Sequence, residues 1–120
     1  MKLAVASSSK YDWVGGFLEL HGLSEYFPII FTADDVEEVK PNPALYLKAL
    51  AALGVQPDEA IAIEDSANGS LAAIRAGIHC VIIPTELTKS LQFHEKAHLI
   101  DSFADFDLGR FLQKEYWEQA

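Results

Sequence analysis

Positive charge is what this sequence is short of. Nine Lys and Arg stand against 18 Asp and Glu, for a net charge of -9. That balance argues against a nucleic-acid backbone or an anionic membrane surface as the main partner. Cysteine is scarcer still. Cys80 alone cannot form an intramolecular disulfide, and its setting in the apolar run HCVII reads as a buried, inert thiol in a reducing compartment. No stretch approaches the roughly 18 apolar residues of a membrane span. The N-terminus offers one lysine, Lys2, ahead of a very short apolar stretch, which is too little for a secretory signal. A soluble, cytoplasmic chain is expected. Internal repeats, low-complexity tracts and linkers are missing as well.

What is present is enough apolar material for a core. The 120 residues are 50% hydrophobic, which suits one folded domain over residues 1–120 and excludes a disordered composition. Short apolar runs alternate with stretches of helical spacing. Leu3–Ala6, Pro28–Thr32, Glu59–Ile63 and Cys80–Pro84 read as strands. Between them, a helix is predicted over Ser9–His21 with Trp13, Phe17 and Leu20 on one face. A second is opened by Pro43, carries Leu47, Leu50 and Ala51 at the 3.6-residue period, and stops at Gly54. A third runs over Asn68–Ala76 and stops at Gly77. The tail offers a helical stretch near Ser90–Ala97, an apolar HLI, and a last helix near Asp105–Glu118. Runs of β-branched residues without polar alternation suit strands covered on both faces. The alternation of strand and helix predicts an α/β fold with a doubly wound parallel sheet.

In such sheets ligands bind beyond the carboxyl ends of the strands, so the residues just after each strand carry the functional reading. After the first strand comes Ser7-Ser8-Ser9-Lys10. Hydroxyls and consecutive backbone N–H groups at a helix start suit a phosphate, although Ser9 taken alone reads as a helix cap. Lys40 stands in the proline-stiffened loop VKPNP, where it could neutralise a phosphoryl group or a carboxylate nucleophile; a solvated surface lysine is the bland alternative. Ile61-Ala62-Ile63 runs directly into Glu64 and Asp65. Paired carboxylates at the end of a buried strand are costly, and they suit a hard cation such as Mg2+ bound by one or two carboxylates plus phosphate and water. An acidic turn is the competing reading. Hydroxyl, lysine and carboxylates in that order, each at a strand end, say more together than any one of them.

The stretches LAVASSS, VKPNPALYLKALAALGV and AIAIEDSANGSLAAIRAG resemble the haloacid dehalogenase-like hydrolase superfamily, in its β-phosphoglucomutase-like branch, from residue 3 to about residue 88. The resemblance implies a Mg2+-dependent phosphatase of a small phosphorylated metabolite, acting through an aspartyl-phosphate, with a phosphosugar mutase as the alternative. It implies phosphate binding by Ser7, Ser8 and Lys40, pairing of Lys40 with the nucleophile, and Mg2+ at Glu64 and Asp65, with Asp65 the direct ligand.

The family's nucleophile lies in a DxDG(T/S) motif after its first strand, and these 120 residues contain neither that aspartate nor the helical cap. The chain therefore reads as the C-terminal portion of a family core domain, lacking its central first strand, and a non-enzymatic fragment or interaction module is the reading from another class. Asp105-Phe106-Asp107 and Asp34-Asp35 are internal substitutes, neither in the setting that the family requires. Loss of a central strand would expose two strand edges, so the strands before Ser7 and Glu64 are expected to pair with each other directly, or with another copy of the chain. One unrelated motif competes: His94-Glu95-Lys96-Ala97-His98 matches H-E-x-x-H, which on a helix could hold zinc with Glu95 as general base and Glu115 or Glu118 as a further ligand.

Overall fold

The computed structural model describes residues 2–85, 88, 93, 96–101, 104 and 107–113. Strand β1 (Ala4–Ala6) leads into helix α1 (Tyr11–Leu20), then β2 (Ile29–Phe31), α2 (Ala44–Leu53), β3 (Ile61–Glu64), α3 (Ala67–Arg75), β4 (His79–Ile82), β5 (His98–Leu99) and the short α4 (Leu108–Phe111). Every strand pairing is parallel. Helices cover both faces of β4. On one side its Cys80 and Ile82 join Tyr46 and Leu50 of α2, Ala72 and Ala73 of α3, and Ala76 just after that helix. On the other, Val81 packs with Ile83, Ile100 and Phe111. The α/β fold with a parallel sheet and helices is thus as the sequence predicts. The alanines of α3 are small enough for the helix to lie close on the strands, and Gly54 ends α2 in the left-handed region at φ 70°, where a side chain would be strained.

The strands do not form one sheet. β1 pairs with β2, and β3 with β4 and β5, as two separate sheets. The expectation that β1 and β3 pair directly is therefore wrong. The hydrogen-bonding parity shows what their edges do instead. Ser7 N donates to Phe31 O at 3.0 Å, and Ile83 N donates to Glu64 O at 2.8 Å. Backbone groups alternate sides along a strand, so those of Ala4 and Ala6, and of Ile61 and Ile63, point away from the paired neighbours. Ala6 O accepts a hydrogen bond from Lys40 Nζ, which also reaches Glu64. The lysine stands between the strand ends where direct pairing would bring the backbones together.

The predicted helix faces need correction. In α1 the buried residues are Val14 and Leu18, whereas Trp13, Phe17 and Leu20 are exposed, with the Trp13 and Phe17 rings stacked on each other at 5.4 Å. In α2, Leu45, Tyr46, Ala49 and Leu50 are buried, and Leu47 and Ala51 face outward. Each stripe is apolar and helical in period, but the side that docks is displaced by a residue or two. Among the described residues of the tail, Lys96 and Ala97 form a turn and bend, and HLI supplies β5. Most of the predicted stretch Ser90–Ala97, and the end of the predicted helix Asp105–Glu118, lie outside the described residues. No helix among the described residues is long and apolar enough to cross a membrane.

Candidate functional site

The three strand-end segments converge. At the end of β1, Ser7 Oγ accepts from Ser9 N at 3.1 Å, which curls the serine run, and Ser8 Oγ accepts from Lys40 N at 3.3 Å. Ser8 thereby ties the first segment to the second. Ser9 does not cap α1; Lys10 holds the N-cap position, and Asp34 Oδ2 accepts from Tyr11 N at 2.9 Å. Asp35 closes a capping box with Thr32. Both aspartates of the Asp34-Asp35 pair are thus engaged in local structure, as a helix start requires.

The Lys40 loop is pinned by short-range chemistry. Asn42 Oδ1 accepts from Ala44 N at 2.9 Å at the start of α2, and Arg75 Nη1 of α3 donates to Pro41 O at 3.3 Å. The Lys40–Pro41 peptide is cis. The Lys40 side chain, 11% exposed, is not a solvated surface lysine. Its ammonium donates to Ala6 O at 2.8 Å, pairs with Glu64 Oε1, and lies 4.8 Å from the centre of the Tyr46 ring. A cation over an aromatic face is stabilised by the ring quadrupole.

Glu64 and Asp65 are adjacent but do not share an environment. Glu64 is 8% exposed, and its Oε1 accepts from both Lys40 Nζ and the Tyr46 hydroxyl. Its carboxylate lies over Gly69 in the first turn of α3, where a Cβ would overlap it. The glycine in IAIEDSANG therefore makes room for the buried charge. Ser66 caps the same helix by accepting from Gly69 N at 3.1 Å. Asp65 is exposed. Burial, and then the Glu64 charge, raise the Tyr46 phenol well above its ordinary value, so it stays protonated and donates. Burial likewise pushes the Cys80 thiol up to about 12, with the Glu64 charge adding to the rise and Lys40 opposing it. Cys80 is 1% exposed and fits the inert thiol expected of it.

Tyr46 is the residue that the sequence reading missed. Its one signal is position: six residues beyond Lys40, it lies on the helix face that packs on the sheet. An aromatic in an apolar helical stripe reads as core, and Tyr46 does serve as core while its hydroxyl serves the site.

The competing motifs fare differently. His94 and Glu95 lie outside the described residues, and His98 begins β5 instead of continuing a helix, with its ring edge-on to Phe111 at 5.0 Å. The helical spacing on which an H-E-x-x-H zinc site depends is not what residues 96–98 adopt. Asp105 lies outside the described residues, and Asp107 caps α4 by accepting from Arg110 N. No cluster of three or more His, Cys, Asp or Glu suited to a metal occurs among the described residues.

A parallel α/β fold with serine, lysine and acidic residues at successive strand ends defines a class, and the comparisons agree on it. The family model described as haloacid dehalogenase-like hydrolase matches residues 1–83. The chain belongs to that family. Among relatives, it is 53% identical over 112 residues to YhcW of Bacillus subtilis (strain 168), whose name designates it provisionally a phosphatase; the match covers 93% of this chain and 51% of YhcW. Among solved structures it is similar to a variant of CbbY from Rhodobacter sphaeroides in complex with xylulose-(1,5)bisphosphate, at TM-score 0.81 and 38% identity over 87% of this chain and 48% of that one. It is also similar to β-phosphoglucomutase from Clostridium difficile, at TM-score 0.81 and 25% identity, covering 99% of this chain and 50% of that chain. The chain spans about half the length of curated relatives that it matches.

Proposed function

We propose that the chain forms the phosphate- and cation-binding half of a phosphohydrolase core that acts on a small phosphorylated metabolite in the cytoplasm. The observation that carries this reading is the Lys40 ammonium. It is held at the strand ends by Glu64, Tyr46 and Ala6 O, the carbonyl just before Ser7, while the Lys40 backbone N–H donates to Ser8 Oγ. A fixed cation next to hydroxyls and backbone N–H groups is what a transferring phosphoryl group needs.

Ser7 and Ser8 bind phosphoryl oxygens, and Lys40 offsets their charge while keeping the attacking carboxylate ionised. That carboxylate comes from outside these 120 residues. Its oxygen forms a bond to phosphorus as the ester oxygen leaves, and water then cleaves the aspartyl-phosphate to free phosphate and the carboxylate. The donor set suits Mg2+, which takes one or two carboxylates with phosphate and water. Exposed Asp65 is the direct ligand, while Glu64 has Oε1 taken by Lys40 and Tyr46 and Oε2 packed against Gly69, so it supports the site chiefly by holding Lys40. When bound, the ion would offset charge on the phosphoryl oxygens.

The likeness to β-phosphoglucomutase supports a second reading, transfer of the phosphoryl group to a sugar instead of to water. The edges of β1 and β3 that face away from β2 and β4 support association through strand addition, either with another copy of the chain or with the segment that brings the nucleophile. One assay tests the whole reading: hydrolysis of a generic phosphoester, with and without Mg2+, by the chain alone and by the chain mixed with the part of YhcW that it does not match. The expected result is no turnover alone and Mg2+-dependent turnover in the mixture, abolished by Lys40→Ala. Robust turnover by the chain alone would overturn the claim of an external nucleophile. A mutase would form a sugar phosphate isomer without releasing phosphate.

A further inference from the structure

We propose that Tyr46 is a positioning residue: its hydroxyl and its ring together hold Glu64 and Lys40 so that the ammonium faces the serine-lined end of β1. The proposal rests on the phosphate-binding reading of Ser7, Ser8 and Lys40, and it names a residue that no strand-end motif contains. Three observations carry it. The Tyr46 hydroxyl donates to Glu64 Oε1, the same oxygen that Lys40 pairs with. The Lys40 ammonium lies 4.8 Å from the centre of the ring of that same tyrosine. And Tyr46 is itself fixed, 9% exposed in the cluster that joins α2, α3 and β4.

The physical consequence concerns how strongly Glu64 holds the lysine. A buried carboxylate needs several donors. With the Tyr46 hydroxyl in place, Glu64 Oε1 shares its charge between two donors. Without it, the carboxylate has Lys40 as its remaining side-chain donor at that oxygen, and the ammonium is drawn toward Glu64 and away from Ala6 O and the serines. The ring sets the other limit, because a cation resting on an aromatic face keeps a preferred place even as its ion-pair partner shifts. Gly69 leaves the carboxylate in contact with the first turn of α3, so Glu64 does not move toward the helix to compensate.

The test uses the 120-residue chain labelled at the lysine ε-carbons, with the Lys40 resonance assigned by Lys40→Arg. Inorganic phosphate is the titrant. Tyr46→Phe keeps the ring and removes the hydroxyl; Tyr46→Leu removes both; Leu50→Ala perturbs the same core cluster without touching the site. The expected result is a displaced Lys40 resonance in Tyr46→Phe and a larger displacement in Tyr46→Leu. Phosphate binding should be about five- to tenfold weaker in Tyr46→Phe, the equivalent of one typical hydrogen bond acting through Lys40. Leu50→Ala should lower the melting temperature while leaving the Lys40 resonance and phosphate affinity as in the wild type. An unmoved Lys40 resonance in Tyr46→Phe would overturn the proposal, as would the same displacement in Leu50→Ala. If wild type and Lys40→Ala bind phosphate equally, the phosphate reading fails. The Lys40 resonance still decides the positioning role on its own.

Discussion

Glu64 and Asp65 are neighbours in sequence with the same charge, and the fold treats them as opposites. Glu64 is buried, bonded to Lys40 and Tyr46, and fitted against Gly69. Asp65, one residue on, is exposed. The alternation of a strand explains how two adjacent side chains part: Glu64 follows Ala62 toward the α2 and α3 side, and the next residue leaves the sheet. Paired negative charge at the end of an apolar strand is thus a division of labour. One carboxylate holds a lysine in place, and the other is accessible to solvent or to a cation.

Removing each carboxylate should separate them most clearly. Glu64→Ala leaves a buried lysine without its ion-pair partner, which typically costs about 3–5 kcal/mol. Asp65→Ala, at an exposed position, should stay within about 0.5 kcal/mol of wild type. Urea denaturation of both variants reads the difference directly, and equal losses would mean that the burial of Glu64 has no energetic counterpart. Gly69→Ala pushes a methyl group into the Glu64 carboxylate. Because Lys40 and Tyr46 hold that carboxylate, the overlap should cost about 1–3 kcal/mol; the same substitution made with Glu64→Ala should cost much less, so the two are not additive. Ser66→Ala removes the cap of α3 and should cost about 1 kcal/mol, with no dependence on Glu64.

A separate effect is one of pH. The Cys80 thiol lies under the same charge pair, and burial raises it from an ordinary 9.0 to about 12 in the folded chain. A thiol held neutral by folding favours the folded state as long as the unfolded thiol is also neutral. That contribution is present below pH 9 and is lost as pH rises toward 12. Stability should therefore fall over that window more steeply than in Cys80→Ala, and Cys80 should react with a thiol reagent at the rate of unfolding. Rapid labelling of the native chain would contradict its burial.

Much of this was legible in the sequence because strand ends are chemically conspicuous. Ile61-Ala62-Ile63 before Glu64-Asp65, Pro43 before α2, and Gly54 and Gly77 after their helices are local signals, and local structure followed them. The convergence of Ser8, Lys40 and Glu64 followed from the topology of parallel sheets. Three things were not legible. Trp13, Phe17 and Leu20 have helical spacing as good as that of Val14 and Leu18, and only packing against the sheet decides which flank docks. Tyr46 has no motif, because its ring satisfies the core and its hydroxyl satisfies a charge 18 residues away. The separation of the two sheets, which Lys40 spans with its contacts to Ala6 O and Glu64, involves three segments and has no signature in any one of them.

The division between the two carboxylates is tested most directly by the Mg2+ affinity of three chains in the presence of inorganic phosphate: wild type, Glu64→Gln and Asp65→Asn. The expected result is that Asp65→Asn loses at least about tenfold in affinity, as removal of a direct ligand should, with its unfolding free energy unchanged. Glu64→Gln should retain affinity within a few-fold and lose stability instead. Retention of wild-type Mg2+ affinity by Asp65→Asn, or its loss in Glu64→Gln alone, would contradict the assignment.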